Sequence, residues 1–109
     1  MPDPIGYRRW AIAGGHQTSE GDDCAWILNA SDDDAEVAIT IFFPDRDPDT
    51  PHRMVVPARR AVQLRLSDIE LPPDADYGSL IESDVPIVVQ HSRSREQHFE
   101  YSTIAYAGD

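Results

Sequence analysis

Between Glu36 and Phe43 every second residue is apolar, with Val37, Ile39, Ile41 and Phe43 on one side. All four of those side chains are β-branched or aromatic, the kind that packs on a pleated surface. Period two is the period of a strand, and it cannot wrap one face of a helix. The same pattern recurs in short runs down the chain, each closed by turn formers. Arg8 to Ala13 is closed by Gly14-Gly15, and residues 14 to 23 read as a loop of turn formers and acids. Cys24 to Ala30 alternates, with Cys24, Trp26 and Leu28 on one face and Ala25, Ile27 and Asn29 on the other. Ser31 to Asp34 is a turn. Pro44 to Pro51 holds three prolines and three aspartates and is a loop. Arg53 to Val56 and Arg60 to Leu66 are strands broken at Pro57. Ser67 to Glu70 is placed for one capped helical turn, ended by Pro72-Pro73. Tyr77 to Glu82, Val85 to Arg93 and Phe99 to Ala107 complete about eight strands.

Eight short strands and no sustained helical period predict an all-β fold, an antiparallel β-sandwich of jelly-roll type. A chain of 109 residues fits a single domain over 1–109. Pro86 is tolerable at an edge or at the start of its strand.

The chain carries nine basic residues, all arginine, against twenty acidic ones, for a formal net charge of −11. A lysine-free acidic composition fits a salt-loving cell, or equally a GC-rich genome that favours arginine codons. Such a charge opposes nonspecific binding to nucleic acid and docking on anionic lipid. The overall field disfavours DNA contact even at a local arginine patch such as Arg59, Arg60 and Arg65. No apolar run is long enough to span a membrane. Cys24 is the single cysteine, and Met1 to Pro4 lack the regions of a signal peptide, so a cytoplasmic location is expected.

Catalytic and metal patterns are weak. Asp45, Asp47 and Asp49 imitate the start of a calcium loop, but Thr50 and Val56 stand where that loop needs Gly and Glu. Cys24, facing with Trp26 and Leu28, reads as a buried and inert thiol. Neither a metal nor a cofactor is expected, and no enzyme activity.

One constellation invites a binding role. Alternation in 85–93 puts Ile87, Val89, His91 and Arg93 on one face, and Arg60 shares the face of Val62 and Leu64. An arginine at the end of a core-facing strand needs a partner. That partner is either an internal carboxylate such as Glu82, Glu96 or Glu100, or a ligand rich in hydroxyls or carboxylates. Trp10 and Trp26 offer aromatic faces on which a sugar could stack.

Several of these stretches are familiar together. Trp-Ala-Ile-Ala at 10–13, Ile-Leu-Asn-Ala at 27–30, Asp-Ala-Glu-Val-Ala-Ile-Thr-Ile at 34–41 and Val-Pro-Ala-Arg-Arg at 56–60 are followed by two more. These are Val-Pro-Ile-Val-Val-Gln-His at 85–91 and Ser-Thr-Ile-Ala-Tyr-Ala at 102–107. In this order they resemble the sensory rhodopsin transducer family. The resemblance implies a β-sandwich assembled as a homotetramer and a small-molecule-binding domain for sugar-like ligands. Where a membrane photoreceptor is the partner, it implies a signalling role instead. The family's recurrent polar positions fall on Asn29, Arg59, Arg60, Gln90, His91 and Arg93. With Trp10 these form the expected ligand site, a polar pocket at one end of the sandwich.

Overall fold

A computed structural model describes residues 5–16, 21–49, 51–66, 76–95 and 98–108. Eight strands run in chain order: β1 Tyr7–His16, β2 Gly21–Asn29, β3 Ala35–Phe42, β4 His52–Val56, β5 Arg60–Arg65, β6 Asp76–Arg95, β7 His98–Ile104 and β8 Tyr106–Gly108. Every pairing is antiparallel. The first sheet has the order β4-β3-β6-β1-β8, and β6 continues into a second sheet with β2, β5 and β7. The molecule is an all-β sandwich. Residues 67–70, where a helical turn was expected, lie outside the described residues.

β6 makes the sandwich possible. Its first half pairs with β3 up to Ser83 and with β1 up to Glu82 and again, after a register shift, at Ile87, and its second half pairs with β2 from Val88 onward. Sequence patterning divides this segment into two strands at Ser83-Asp84; the structure runs it through as one of 20 residues. The reason is local. Asp84, Val85 and Pro86 have no ladder partner, so the N–H that proline lacks is not needed there. Ser83 Oγ accepts from Val85 N at 3.2 Å and Asp84 Oδ1 from Glu36 N at 2.8 Å, so side chains serve backbone groups as the strand changes sheets. Gly6 permits the close approach beside this crossing: its φ is +107°, and a Cβ there would stand 2.0 Å from the Ile87 carbonyl oxygen.

One cluster fills the space between the sheets, with Ile27, Ile39, Ile41, Ile81, Ile87 and Val89 among its buried members. Each such side chain contributes roughly 1.5–3 kcal/mol by leaving water. On β2 the inner face is that of Ala25, Ile27 and Asn29, while Trp26 and Leu28 are 43% and 41% exposed. Cys24 is buried even so. The expected strand Phe99–Ala107 is divided at Ala105 into β7 and β8, which pair with different halves of the sandwich.

Candidate functional site

Period-two alternation on β6 carries Tyr77 on the core side of its first half and His91 and Arg93 on the core side of its second. β2 brings Asp23 directly opposite Arg93 in the ladder, with His91 one same-face step away, opposite Ala25. The three β6 side chains converge on that one carboxylate. Asp23 Oδ2 accepts from the Tyr77 hydroxyl at 2.9 Å. Its Oδ1 lies 3.1 Å from Arg93 Nη1 and 3.3 Å from His91 Nε2. The Asp23 side chain is 1% exposed and those of His91 and Arg93 are 4% and 13%. A buried carboxylate is sustained only by charge-assisted hydrogen bonds of this kind. Tyr77 comes from the half of β6 in the first sheet and Asp23 from the second sheet, so their bond joins the two layers. Burial, and then the adjacent carboxylate, push the Tyr77 phenol far above its ordinary value near 10.

Tyr77 reaches Asp23 because of what lies beneath its ring. β1 contains an irregularity between Ile12 and Gly15, after which Gly15 pairs with Tyr77. A Cβ on Gly15 would come within 2.6 Å of the Tyr77 ring. Glycine therefore leaves the space in which the phenol lies.

Beside this cluster a cleft of about 730 Å³ opens at one end of the sandwich. Phe42, Phe43 and Pro44 form an apolar wall, Gly14, Gly15 and Gly78 expose backbone, and Asp76, Tyr77 and Arg93 supply polar groups. Outside the lining, the Arg46 guanidinium lies 4.2 Å from the Phe43 ring centre and its Nε 3.8 Å from Asp45 Oδ1. Chemically, this place can accept a ring-sized molecule on an aromatic wall and grip it with directional polar groups. Among the described residues no group of three or more His, Cys, Asp and Glu side chains is arranged to hold a metal.

The expected site residues divide between the two ends of the molecule. His91 and Arg93 stand together; Arg93 lines the cleft and His91 lies behind it. Asn29 and Arg60 pair with each other in the ladder at the far end of β2, six residues from Asp23 and so roughly 20 Å away. Asn29 is spent on its own turn. Its amide donates to the Asp33 and Val56 carbonyls at 2.8 and 3.0 Å, and its oxygen accepts from Ser31 N and Oγ at 3.0 and 2.7 Å. Arg59 is exposed with φ 59° and pairs with Asp32, while Arg60 is exposed and donates to the Arg59 carbonyl. Gln90 sits on the outer face opposite Trp26. Trp10 is a core residue whose indole N–H is shared between the Tyr7 and Ile87 carbonyls at 3.0 and 2.9 Å. The single pocket expected from these residues is thus replaced by a cluster and cleft at one end and a braced turn at the other.

Among the candidate internal partners, Glu82 pairs with Arg9 instead. The Glu96 and Glu100 side chains lie outside the described residues. Asp23 was missed because 14–23 reads as a loop, and without it nothing marks Tyr77, at the start of its strand, as more than a packing residue. Carrying the alternation of Asn29, Ile27 and Ala25 back two more residues arrives at Asp23. Nothing comparable in the sequence marks the Phe42–Pro44 wall, which exists only because β3 ends beside the start of β6.

An antiparallel sandwich with one strand common to both sheets, and a cleft over a buried ionic cluster, is the scaffold of a transducer-type domain. The chain belongs to the family of the Anabaena sensory rhodopsin transducer, whose sequence profile matches residues 5–107. The fold is similar to that of the Anabaena sensory rhodopsin transducer itself, with a TM-score of 0.75 and 44% identity over 83% of this chain and 91% of that one. A Thermotoga maritima protein, number 1070, is similar with a TM-score of 0.87 and 27% identity over 95% of this chain and 97% of that one. No curated protein matches the chain.

Proposed function

We propose that this transducer-family domain binds a small polar molecule of the carbohydrate-like class in the end cleft. The observation that carries this reading is the meeting of an aromatic wall, Phe42 and Phe43, with Arg93 and Tyr77 across about 730 Å³. That volume is within the usual range for a small-molecule site. A sugar lays its C–H face on an aromatic ring while its hydroxyls take directed donors. Arg93 is held in one orientation by Asp23, so the donors that line the cleft are pre-aimed. In this reading His91 and Asp23 are positioning residues. The domain acts by binding and not by catalysis: the buried carboxylate is committed to three partners, an arrangement that holds shape.

The test is a calorimetric panel of neutral sugars, amino sugars and sugar acids against the parent and Phe42→Ala. Phe42 is 43% exposed, so its truncation leaves melting nearly unchanged. Binding by the parent that weakens about tenfold or more in the variant is expected, from the loss of a stacking face. Panel-wide silence with the parent protein would remove the reading.

A second reading is favoured by the 44% identity to a sensory rhodopsin transducer. In it the chain is a signalling partner that relays the state of a membrane photoreceptor. A sensory rhodopsin in detergent micelles, immobilised and exposed to the domain in dark and light, would retain it with an affinity that differs between the two conditions. Equal or absent retention would count against the relay.

A further inference from the structure

We propose that the ligand of the cleft is a short chain of sugars, and that the chain leaves the cleft along the outer face of the first sheet to reach Tyr106. The proposal rests on the cleft being a carbohydrate site. It adds the length of the ligand and the path it takes.

Strand pairing sets the path. Phe42, Gly78 and Ala13 of the cleft lining alternate with buried neighbours and so belong to the outer face of the first sheet. One same-face step away lies the row Thr40, Leu80, Ala11 and Tyr106, paired in that order across β3, β6, β1 and β8. Thr40, Leu80 and Ala11 are half-buried and uncharged, a floor that continues the cleft. Beyond it a second cavity of about 200 Å³ is lined by Leu80, Ala11, Arg9 and Tyr106.

This second cavity repeats the chemistry of the first. Tyr106 is 78% exposed and supplies an aromatic face. Arg9 Nε lies 3.4 Å from Glu82 Oε2, much as Arg93 is held by Asp23 at 3.1 Å. A guanidinium beside a carboxylate presents donors and an acceptor together, the set that neighbouring hydroxyls use. Each cavity therefore pairs a ring for a sugar's C–H face with an ion pair for its hydroxyls. Separation decides the length of the ligand. Three strand spacings and one same-face step put the Phe42 and Tyr106 backbones roughly 16 Å apart. A single sugar ring reaches one of them, and a short oligosaccharide reaches both. The half-exposed Arg9–Glu82 pair, on the central strands of this face, counts against a dry protein contact there and favours a ligand that hydrogen-bonds.

Saccharide ladders test this: glucose to maltotetraose, glucose to cellotetraose, N-acetylglucosamine to tetra-N-acetylchitotetraose, and galacturonate to tetragalacturonate. Each member is titrated calorimetrically against the parent, Phe42→Ala and Tyr106→Ala. Tyr106 is exposed enough that its truncation leaves melting nearly unchanged. In the ladder that binds, parent affinity should rise about tenfold or more from the single sugar to the tetramer, the effect of a second stacking face. Tyr106→Ala should remove most of that rise and leave the single sugar's affinity as it was. Phe42→Ala should weaken both. An affinity that is flat along the ladder yet sensitive to Phe42→Ala would overturn the path and leave the cleft standing. So would a single sugar that binds while every longer member fails. A rise with length that survives Tyr106→Ala would also overturn the path. Silence of every member, single sugars included, would overturn both the path and the cleft reading.

Discussion

At the scale of single residues, Tyr77 connects packing to chemistry. Its hydroxyl is the donor that joins the first sheet to the Asp23 carboxylate in the second, and its ring closes part of the cleft. Because burial beside a carboxylate raises its ionisation well above 10, the folded state keeps the phenolic proton at a pH where the unfolded chain has lost it. The sign follows from linkage. A raised folded value gives stability that is intact below about pH 10 and declines as pH climbs beyond it, by about 1.4 kcal/mol per pH unit. Urea unfolding of the parent between pH 8 and 11.5 should show that decline. Tyr77→Phe should be less stable at neutral pH by about 1–3 kcal/mol, since Asp23 loses a donor, yet lack this part of the alkaline slope. Curves for the two proteins that stay parallel through the alkaline range would show that Tyr77 does not titrate with unfolding. Arg59, by contrast, illustrates a residue whose apparent promise was positional. Its left-handed φ and its exposed pairing with Asp32 mark it as a turn residue at the far end from the cleft.

At the scale of elements, the sequence was readable where one face of a strand is plainly apolar. β3 was expected over Glu36–Phe43 and runs Ala35–Phe42; β4 and β5 likewise lie within a residue of their expected bounds. It misled where polar residues serve the core. Asn29 is buried because all its hydrogen-bonding capacity is used in the turn, so composition alone could not reveal that its face is the inner one. The larger Trp26 and Leu28 pointed the other way. β6 was divided for a similar reason: Ser83 and Asp84 are turn formers by type, and only a change of sheet makes them strand residues. Of the candidate site, the His91–Arg93 pair was legible from alternation and its partner was not. Asp23 sits at the beginning of a strand whose first residues look like loop. The aromatic wall was invisible altogether, since residues 42–44 and 76–78 meet only through the pairing of β3 with β6.

At the scale of the whole molecule, two surface properties pull in opposite directions. The formal charge of −11 drives copies apart. The outer face of the second sheet draws them together, because Trp26 and Leu28 stand exposed in its middle. Leu28 is opposite Val88 and Ala61, and Trp26 opposite Gln90 and Gln63. Two large apolar side chains on adjacent positions of a central strand, flanked by uncharged neighbours, form a patch of the kind that marks an interface. Arg65, opposite Cys24, is the charge that borders it on this face, and its long side chain can stay in water at the rim while a second copy covers the centre. Self-association, up to the tetramer that the family resemblance implies, should therefore strengthen with salt, which screens the repulsion and leaves the apolar term intact. Light scattering from low to molar potassium chloride should give a mass that rises to a multiple of the chain's. In Trp26→Glu, where each interface would bury a new carboxylate, the mass should stay that of one copy at every salt concentration. The substitution is at an exposed site, so its melting temperature reports that the fold is intact. A parent that remains a monomer in molar salt would exclude self-association. A Trp26→Glu protein that assembles like the parent would move the interface to another face, such as the β8 edge where Tyr106 is 78% exposed.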